Sequence, residues 1–524
     1  MIRLEATVAA LAIGITLSLA GPTSAENVLR WAFSTGALTL DPHSANSGPD
    51  DMQQYSVYER LLATSARLEV VPQLAVGWRP VGPVTWEFEL REGVRFHDGA
   101  PFTAEDVVFS LERARTEPSQ YTSFFSDISD VRAIDAHTVR IATRAPDALL
   151  PDRLRKLFIM SKAWAEEHGV TRAADFKAGE ETYATRHANG TGPFIIEAFE
   201  PGGRVVTRRS PDWWGQEFFP TNIDRIEFTP MADPKQRLDA MLKGEIDLLT
   251  SPPLDALDQI EGTPGLKLAQ TTQLRSVWLS VDQASPELRS SDIKGTNPFK
   301  DKRVRQAMYQ AIDIETIRDE VMQGFSVPTG MIIPPGVNGH APELDQRLPY
   351  DPETARALLA EAGYPKGFGV TLDCTNNYYV NDEAICRAVA VQLGEIGIAV
   401  SVNAQPEDRH YQKVGTDESD FWLESYTAGT LDSLEVFLIS IRSGGADNWS
   451  GYANPRVDQL IEELRAASLT FARDAIIEEV WRAVLDDVVF LPLHHQVVVW
   501  AMSENLDLPV SPFNLPVFRE ARLK

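Results

Sequence analysis

The sequence predicts an α/β fold built from two lobes. At 524 residues the chain is too long for one ordinary hydrophobic core, so two or three lobes are expected. Strand signals alternate with helix signals in both halves of the chain, which favours two sheets covered by helices. The chain closes with two apolar strands that must rejoin the first sheet. One lobe is therefore expected to be assembled from separated segments.

Strand and helix signals in the first half follow one another with clear turns between them. Residues 86–90 alternate apolar and charged side chains, which predicts a half-buried strand. Thr103 is followed three residues later by Asp106, a pattern that starts a helix. Asp233 and the proline after it predict another helix, because a capping residue precedes a proline in the first turn.

The second half repeats this pattern. Apolar stripes at helical spacing follow three capping residues, Asp301, Asp351 and Asn454. The closing strands are predicted at residues 488–493 and 496–501, around His494 and His495. Neighbouring strand residues point to opposite faces, so these two histidines are not expected to share a metal ion. We expect neither a metal site nor a cofactor.

Composition restricts the partners. The net charge is −26, from 75 acidic and 49 basic residues. Such a surface repels phosphates and anionic lipid, so nucleic acid and membrane surfaces are not expected to bind. A hydrophobic fraction of 43% is typical of a soluble globular protein.

The first 25 residues resemble a secretory signal peptide. Arg3 precedes an apolar run from Ala6 to Ala20, which is shorter than the ~20 residues that a membrane-spanning helix needs. Small residues before Glu26 provide a cleavage site, and the segment has no cysteine for lipid attachment. The mature protein is expected to be free in an exported compartment. Cys374 and Cys386 either pair there as a disulfide, which an oxidising compartment favours, or remain buried thiols.

The common catalytic motifs are absent from the sequence. It contains no HExxH, no GxSxG, no GxxxxGK[ST] and no GxGxxG after a strand. Adjacent carboxylates such as those at 486–487 lie on predicted helices or their ends, where solvent explains them. These observations argue against an enzyme.

Several segments together resemble one family, the extracytoplasmic solute-binding proteins of peptide and nickel ABC importers. They are found in the same order and spacing, at residues 38–42, 86–110, 191–194, 244–248 and 303–313. The resemblance implies a type II periplasmic-binding fold with two lobes and an extra subdomain in the first lobe. Lobe I would comprise residues 26–275 with 490–524, including a subdomain at about 60–190, and lobe II would comprise residues 276–489.

The resemblance also implies a function. A monomer in the periplasm would capture a small peptide or peptide-like ligand in a cleft that closes about a hinge, and would deliver it to the permease subunits of an ABC importer. Two alternatives remain. One is a non-peptide solute such as an opine, a nickel chelate or an oligosaccharide, and the other is a secreted hydrolase on a similar scaffold.

The ligand contacts implied by the resemblance depart from the usual pattern. Peptide-binding members hold the ligand's amino group with an aspartate three residues after a tryptophan, but Tyr426 and Gly429 stand at these positions. The loop at 375–382 has no arginine for the ligand carboxylate. Asp432 is either a substitute anchor or a turn residue, and Arg275 either a substitute cation or part of a salt bridge. The remaining candidates are Leu38, Thr39, Trp278, Tyr378 and Trp422. For the three aromatic residues among them, packing in the core is at least as probable as contact with the ligand.

Overall fold

The structure is a computed structural model that describes residues 26–65, 68–467 and 470–524. The predicted signal peptide at residues 1–25 lies outside these residues. Within the described ranges, no helix has both the length and the apolar character needed to cross a membrane.

Strands and helices alternate along the whole chain. The strands are β1 (Val28–Phe33), β2 (Leu62–Thr64), β3 (Val70–Pro72), β4 (Ala75–Gly82), β5 (Thr85–Leu90), β6 (Ile128–Asp135), β7 (Thr138–Thr143), β8 (Phe194–Phe199), β9 (Val205–Arg209), β10 (Arg225–Pro230), β11 (Leu248–Thr250), β12 (Leu266–Val281), β13 (Ser326–Pro328), β14 (Phe368–Thr375), β15 (Ile398–Gln405), β16 (Phe421–Thr427), β17 (Leu491–Ser503), β18 (Leu506–Asp507) and β19 (Arg522–Leu523). The helices are α1 (Gly48–Val57), α2 (Ala104–Ala114), α3 (Thr122–Phe125), α4 (Leu150–Arg153), α5 (Lys162–Glu167), α6 (Tyr183–Arg186), α7 (Pro234–Leu242), α8 (Leu257–Glu261), α9 (Lys302–Gln310), α10 (Ile314–Thr316), α11 (Pro352–Glu361), α12 (Asp382–Glu395), α13 (Glu407–Gly415), α14 (Ser433–Val436), α15 (Pro455–Ala466) and α16 (Thr470–Asp486).

The predicted helix starts are confirmed. Thr103 and Asp106 form a reciprocal capping box at the start of α2. The side chains of the other predicted caps each accept a backbone N–H of the helix that they precede: Asp233, Asp301, Asp351 and Asn454. The strand predicted at 86–90 is β5, with Phe88 and Leu90 buried.

The main sheet runs continuously through both halves of the chain, although two sheets were predicted. Eleven strands pair in the order β15-β14-β16-β12-β17-β11-β1-β10-β9-β8, with β13 added on β17. Strands β12 and β17 join the halves because they are long and pair antiparallel with each other. The ladder has a register shift between Thr272 and Ser276.

The prediction of two separate closing strands was wrong. Residues 491–503 form a single strand, and both histidines that were taken as its interruption lie inside it. His494 pairs with Val277 and His495 with Ser276. Both rings are buried, and the backbone of both residues continues the ladder.

The apolar cores fall into two groups, which define two parts of the molecule. The N-terminal part packs residues between 29 and 260 together with residues 498–521, and includes a separate four-stranded sheet, β4-β5-β7-β6, that packs on α2. The central part packs residues between 274 and 493. Cys374 at the end of β14 and Cys386 in α12 are joined by a disulfide in the central part, which settles the question that the sequence left open.

Candidate functional site in the cleft between the two parts

Direct hydrogen bonds connect the N-terminal part to the central part. The backbone N–H of Leu431 donates to Asp152 Oδ2 at 2.5 Å. Arg155 donates to the carbonyl oxygen of Gly429 at 3.4 Å and to Thr64 Oγ1 at 2.8 Å, and it also pairs with Asp152. These bonds bring Asp152 and Arg155 of the N-terminal part into direct contact with residues 429–431 of the central part.

Two depressions adjoin this contact. One has a volume of about 130 Å³, and its lining includes Arg60, Arg155 and Phe513. The other has a volume of about 290 Å³, and residues of both parts line it, among them Phe124 and Glu435. Sites for small ligands are usually clefts of about 300–1,000 Å³, so the second depression is close to the lower end of that range and the first is smaller.

The N-terminal wall of the cleft carries charges of both signs. Lys156 has its ammonium 4.5 Å from the Phe124 ring and no carboxylate within 4.0 Å among the described residues. Burial lowers the pKa of Lys156, although Glu435 and Asp51 act in the opposite direction. Burial raises the pKa of Asp51 to about 6, against the effect of Lys156, and the Tyr121 hydroxyl donates to Asp51 at 3.2 Å.

The central wall places Glu435 against Gly429. Glu435 Oε2 accepts hydrogen bonds from the Tyr426 hydroxyl at 2.6 Å and from the Thr430 N–H at 2.5 Å. A Cβ atom added to Gly429 would lie 2.5 Å from Glu435 Oε1. The space that a side chain at position 429 would enter is therefore occupied by the Glu435 carboxylate.

Arg275 and Tyr378 come together, as the sequence proposal requires of cleft residues. The Arg275 guanidinium lies 4.9 Å from the centre of the Tyr378 ring, and its Nε donates to Thr427 Oγ1 at 2.8 Å. Within the described ranges Arg275 has no carboxylate partner within 4.0 Å, so the salt-bridge alternative is not formed. Tyr378 is 36% exposed.

Trp278 and Trp422 are core residues in this structure. They are 0% and 1% exposed, and their indole N–H groups donate to Ser280 Oγ and Glu424 Oε2, each at 2.9 Å. Burial raises the pKa of Glu424 to about 7. Contact of either tryptophan with a ligand stays a prediction, and the core alternative describes their present positions.

Leu38 and Thr39 lie away from the Gly429 contact. Their backbone N–H groups donate to Asp50 Oδ1 at 2.8 and 3.0 Å. They line a separate depression, together with Phe176 and Glu180 of the N-terminal part. Their role as ligand contacts stays a prediction.

Asp432 is fully engaged within the protein. Its Oδ1 accepts from the Leu434 N–H and from Arg473, each at 2.9 Å, and its Oδ2 accepts from Asn338 at 3.0 Å. The first of these bonds caps α14. These contacts favour the structural alternative over a ligand anchor.

Sequence reasoning missed the charged residues near this contact. Arg60, Arg155 and Glu435 line the two depressions, and Asp51 and Lys156 are more deeply buried. The adjacent cations Arg155 and Lys156, directly after an apolar residue, were the available signal. No local pattern indicates Glu435, because it meets Gly429 only where the chain folds back into α14.

Comparison with known protein families identifies the family of this chain. Residues 69–448, more than half of the chain, match the family described as "Bacterial extracellular solute-binding proteins, family 5 Middle", so the chain belongs to this family. The protein is thus an extracellular solute-binding protein by family, and the relatives that it matches are named as binding proteins.

The particular relatives are distant in sequence but match over nearly the full chain. The glutathione-binding protein GsiB of Escherichia coli O157:H7 is 25% identical over 511 residues, 95% of this chain and 94% of the relative. The structure of HbpA2 from Haemophilus parasuis has a TM-score of 0.82 at 22% identity, covering 95% of this chain and 100% of that one. DppA from Helicobacter pylori in complex with peptide STSA has a TM-score of 0.74 at 22% identity, covering 95% and 98%. The predicted type II periplasmic-binding fold is confirmed.

Proposed function

We propose that the protein captures a peptide or peptide-like solute in the cleft and delivers it to the permease of an ABC importer. Its lobe I would be residues 26–275 with 490–524, including the subdomain at about 60–190, and its lobe II residues 276–489. The observation that carries the proposal is the position of Glu435 in the space beside Gly429. A carboxylate is thereby restored at the place where the amino-anchoring aspartate of peptide-binding members is missing.

Glu435 is suited to hold an amino group. Its Oε2 is fixed by two protein donors, whereas no described residue donates to its Oε1. Hydrogen bonds between an ammonium and a carboxylate are charge-assisted and roughly twice as strong as neutral ones. Tyr426, at the position of the family tryptophan, supports this carboxylate through its hydroxyl.

Lys156 and Arg275 provide cations for a ligand carboxylate. Neither is paired with a carboxylate of the protein within 4.0 Å in the part of the chain that the structure describes. The cleft therefore offers an available anionic oxygen and two available cations. This combination fits a zwitterion with a free amino group and a free carboxylate, which is the chemistry of a small peptide.

Closure supplies the affinity in this mechanism. The bonds from Asp152 to Leu431 and from Arg155 to Gly429 form only when the lobes are together, so a ligand that bridges the walls shifts the population towards the closed state. A shift from mostly open to mostly closed needs about 5 kcal/mol of differential binding. Charge-assisted bonds at both ends of a peptide, at about 1.5–3 kcal/mol each, provide most of it.

Calorimetry with a panel of di- to tetrapeptides tests the proposal. We expect at least one peptide to bind, and Glu435→Gln to weaken it by tenfold or more while N-terminal acetylation of the peptide has the same effect on the native protein. Glu418→Gln, at an exposed position, is the matched control and leaves the affinity unchanged. A panel in which no peptide binds, or a Glu435→Gln variant with native affinity, would refute the proposal.

Mass spectrometry of the solute that co-purifies with the protein separates the alternatives. A peptide recovered intact supports the proposal, whereas an opine, a nickel chelate or an oligosaccharide would replace the peptide by that solute. Conversion of the solute by the protein would identify a hydrolase.

We also propose a periplasmic monomer released by removal of residues 1–25. Membership of an extracellular solute-binding family supports this location. N-terminal sequencing of the exported protein should begin at Glu26, and light scattering should give the mass of one chain.

A further inference from the structure

A second polar cluster lies in the central part, where the segment after β13 meets β17. Asp345 anchors it. Its Oδ1 accepts hydrogen bonds from Thr329 Oγ1 and the Gly330 N–H, both at 2.6 Å, and from the Met331 N–H at 3.2 Å. One carboxylate oxygen is thus fixed by the backbone, and the orientation of the other oxygen, Oδ2, is fixed with it.

Two histidines direct their Nε2 atoms at this second oxygen. His340 Nε2 lies 3.0 Å from Asp345 Oδ2, and His495 Nε2 lies 3.9 Å from the same atom. The longer separation is beyond hydrogen-bond range. The His495 side chain is 0% exposed, and its Nε2 has no hydrogen-bond partner among the described residues. A buried polar nitrogen without a partner is costly, so a water or an ion is expected beside it.

The other ring nitrogen of His495 is already occupied. Its Nδ1 lies 2.9 Å from Ser276 Oγ, across the β12–β17 ladder. A histidine that binds a metal usually donates its second ring N–H to a nearby oxygen, which fixes the tautomer and aims the free nitrogen at the ion. With Nδ1–H donated to Ser276, the lone pair of His495 Nε2 points towards Asp345 Oδ2.

We propose that His340, Asp345 and His495 bind a divalent transition-metal ion, with Zn²⁺ as the representative ion. Two imidazole nitrogens and one carboxylate oxygen are a donor set that zinc uses, at about 2.0–2.2 Å from each atom. Neighbouring donors of a tetrahedral site at those bond lengths are about 3.3 Å apart. The observed 3.0 and 3.9 Å bracket that value, and all three donor atoms lie within 4.8 Å of one another.

The neighbouring cation does not compete for the site. Arg347 donates to the carbonyl oxygens of Thr329 and Pro492, and lies over the Tyr309 ring at 4.6 Å. It forms no ion pair with Asp345 within 4.0 Å. Partial exposure of His340 and Asp345, 10% and 16% of their side chains, gives an ion a path to the buried His495.

The ion would fasten the segment that carries His340 and Asp345 to β17. That strand also forms part of the β12–β17 ladder that connects the two lobes, next to the register shift at Ser276. The same segment reaches the cleft rim, because Asn338 pairs with Asp432. The site is therefore a structural clip near the hinge, with three protein ligands and one remaining position for water.

Titration of chelator-treated mature protein with Zn²⁺ alone tests this proposal, without any solute. We expect one ion per chain, a rise in Tm on adding Zn²⁺, and a strong visible band of tetrahedral Co²⁺ when Co²⁺ replaces Zn²⁺. His340→Gln and His495→Gln should each weaken Zn²⁺ binding by at least about tenfold, and Ser276→Ala by about 10–100-fold, the range for partners that orient a ligand.

The control keeps the result decisive even if the buried His495 variant fails to fold. His340 is partly exposed, so His340→Gln is expected to fold, and His187→Gln in the N-terminal lobe removes a histidine elsewhere. Binding that is lost in His340→Gln and kept in His187→Gln establishes the site. No one-to-one binding by the native protein, or equal affinity in His340→Gln, would overturn it.

Discussion

Opening the disulfide between Cys374 and Cys386 should destabilise the central part by about 3 kcal/mol. Both cysteines are fully buried, and they are separated by 12 positions in the sequence. In the chain-entropy description, closing a loop of that size in the unfolded chain removes about 10 cal/mol/K, which gives about 3 kcal/mol at 25 °C. The closed loop carries Tyr378, so the bridge also holds the residue that faces Arg275.

Urea denaturation of three forms measures this loss: the oxidised protein, the reduced protein, and the Cys374→Ala/Cys386→Ala variant. The reduced protein keeps both sulfur atoms, so its difference from the oxidised form isolates the cross-link, whereas the variant adds the loss of buried volume. We expect the reduced form to unfold at lower urea and the variant at the same or still lower concentration. Identical transitions for the oxidised and reduced forms would refute the reasoning.

Three further predictions follow from other contacts. The pKa of Glu424 is raised to about 7 from 4.5, so protonation of Glu424 favours folding. Its contribution to the free energy of unfolding, about 3 kcal/mol, is complete below pH 4.5 and is lost as the pH rises through 7. Thermal unfolding at several pH values should show a flatter pH dependence for Glu424→Gln, and an unchanged pH profile would contradict this. Asp152→Ala removes a charge-assisted bond of the closed state and should weaken peptide binding about 10–100-fold by calorimetry, whereas native affinity would show that closure does not use it. Thr103→Ala removes the cap of α2 and should cost about 1 kcal/mol in chemical denaturation, with an unchanged transition counting against the capping role.

Local patterns predicted the elements well because their causes are local. The caps at Asp233 and Asn454 act within three residues of themselves, so the sequence alone is enough to place them. The alternation in β5 likewise reflects which side of one strand meets the core. The family motifs then supplied the overall fold.

Features that depend on tertiary contact were not predictable in the same way. The closing strand was divided at His494 and His495 because the two histidines interrupt the apolar run, but their backbone pairing with β12 keeps the strand intact. Whether Trp278 packs in the core or lines the cleft depends on what lies above it, and the sequence does not contain that information. The meeting of Glu435 with Gly429 depends on the path of the chain into α14.

The position at which the sequence motif lacks its aspartate still lies beside a carboxylate in the folded chain. The alignment showed glycine where an aspartate was expected, and a carboxylate six positions later fills the same volume. Lys156 of the N-terminal part and Arg275 on β12 are cations without a carboxylate partner within 4.0 Å among the described residues, and neither lies in the loop at 375–382.

The pairing of β12 with β17 restricts how the protein can move. Two strands that are hydrogen-bonded side by side resist shearing and sliding, and they yield most easily by bending where their register is interrupted, beside Ser276. The N-terminal and central parts are then expected to move relative to each other mainly by rotation about one axis along these two strands. One distance between the two parts would then be enough to follow this motion. A more rigid β12–β17 pair would slow ligand entry and ligand release together.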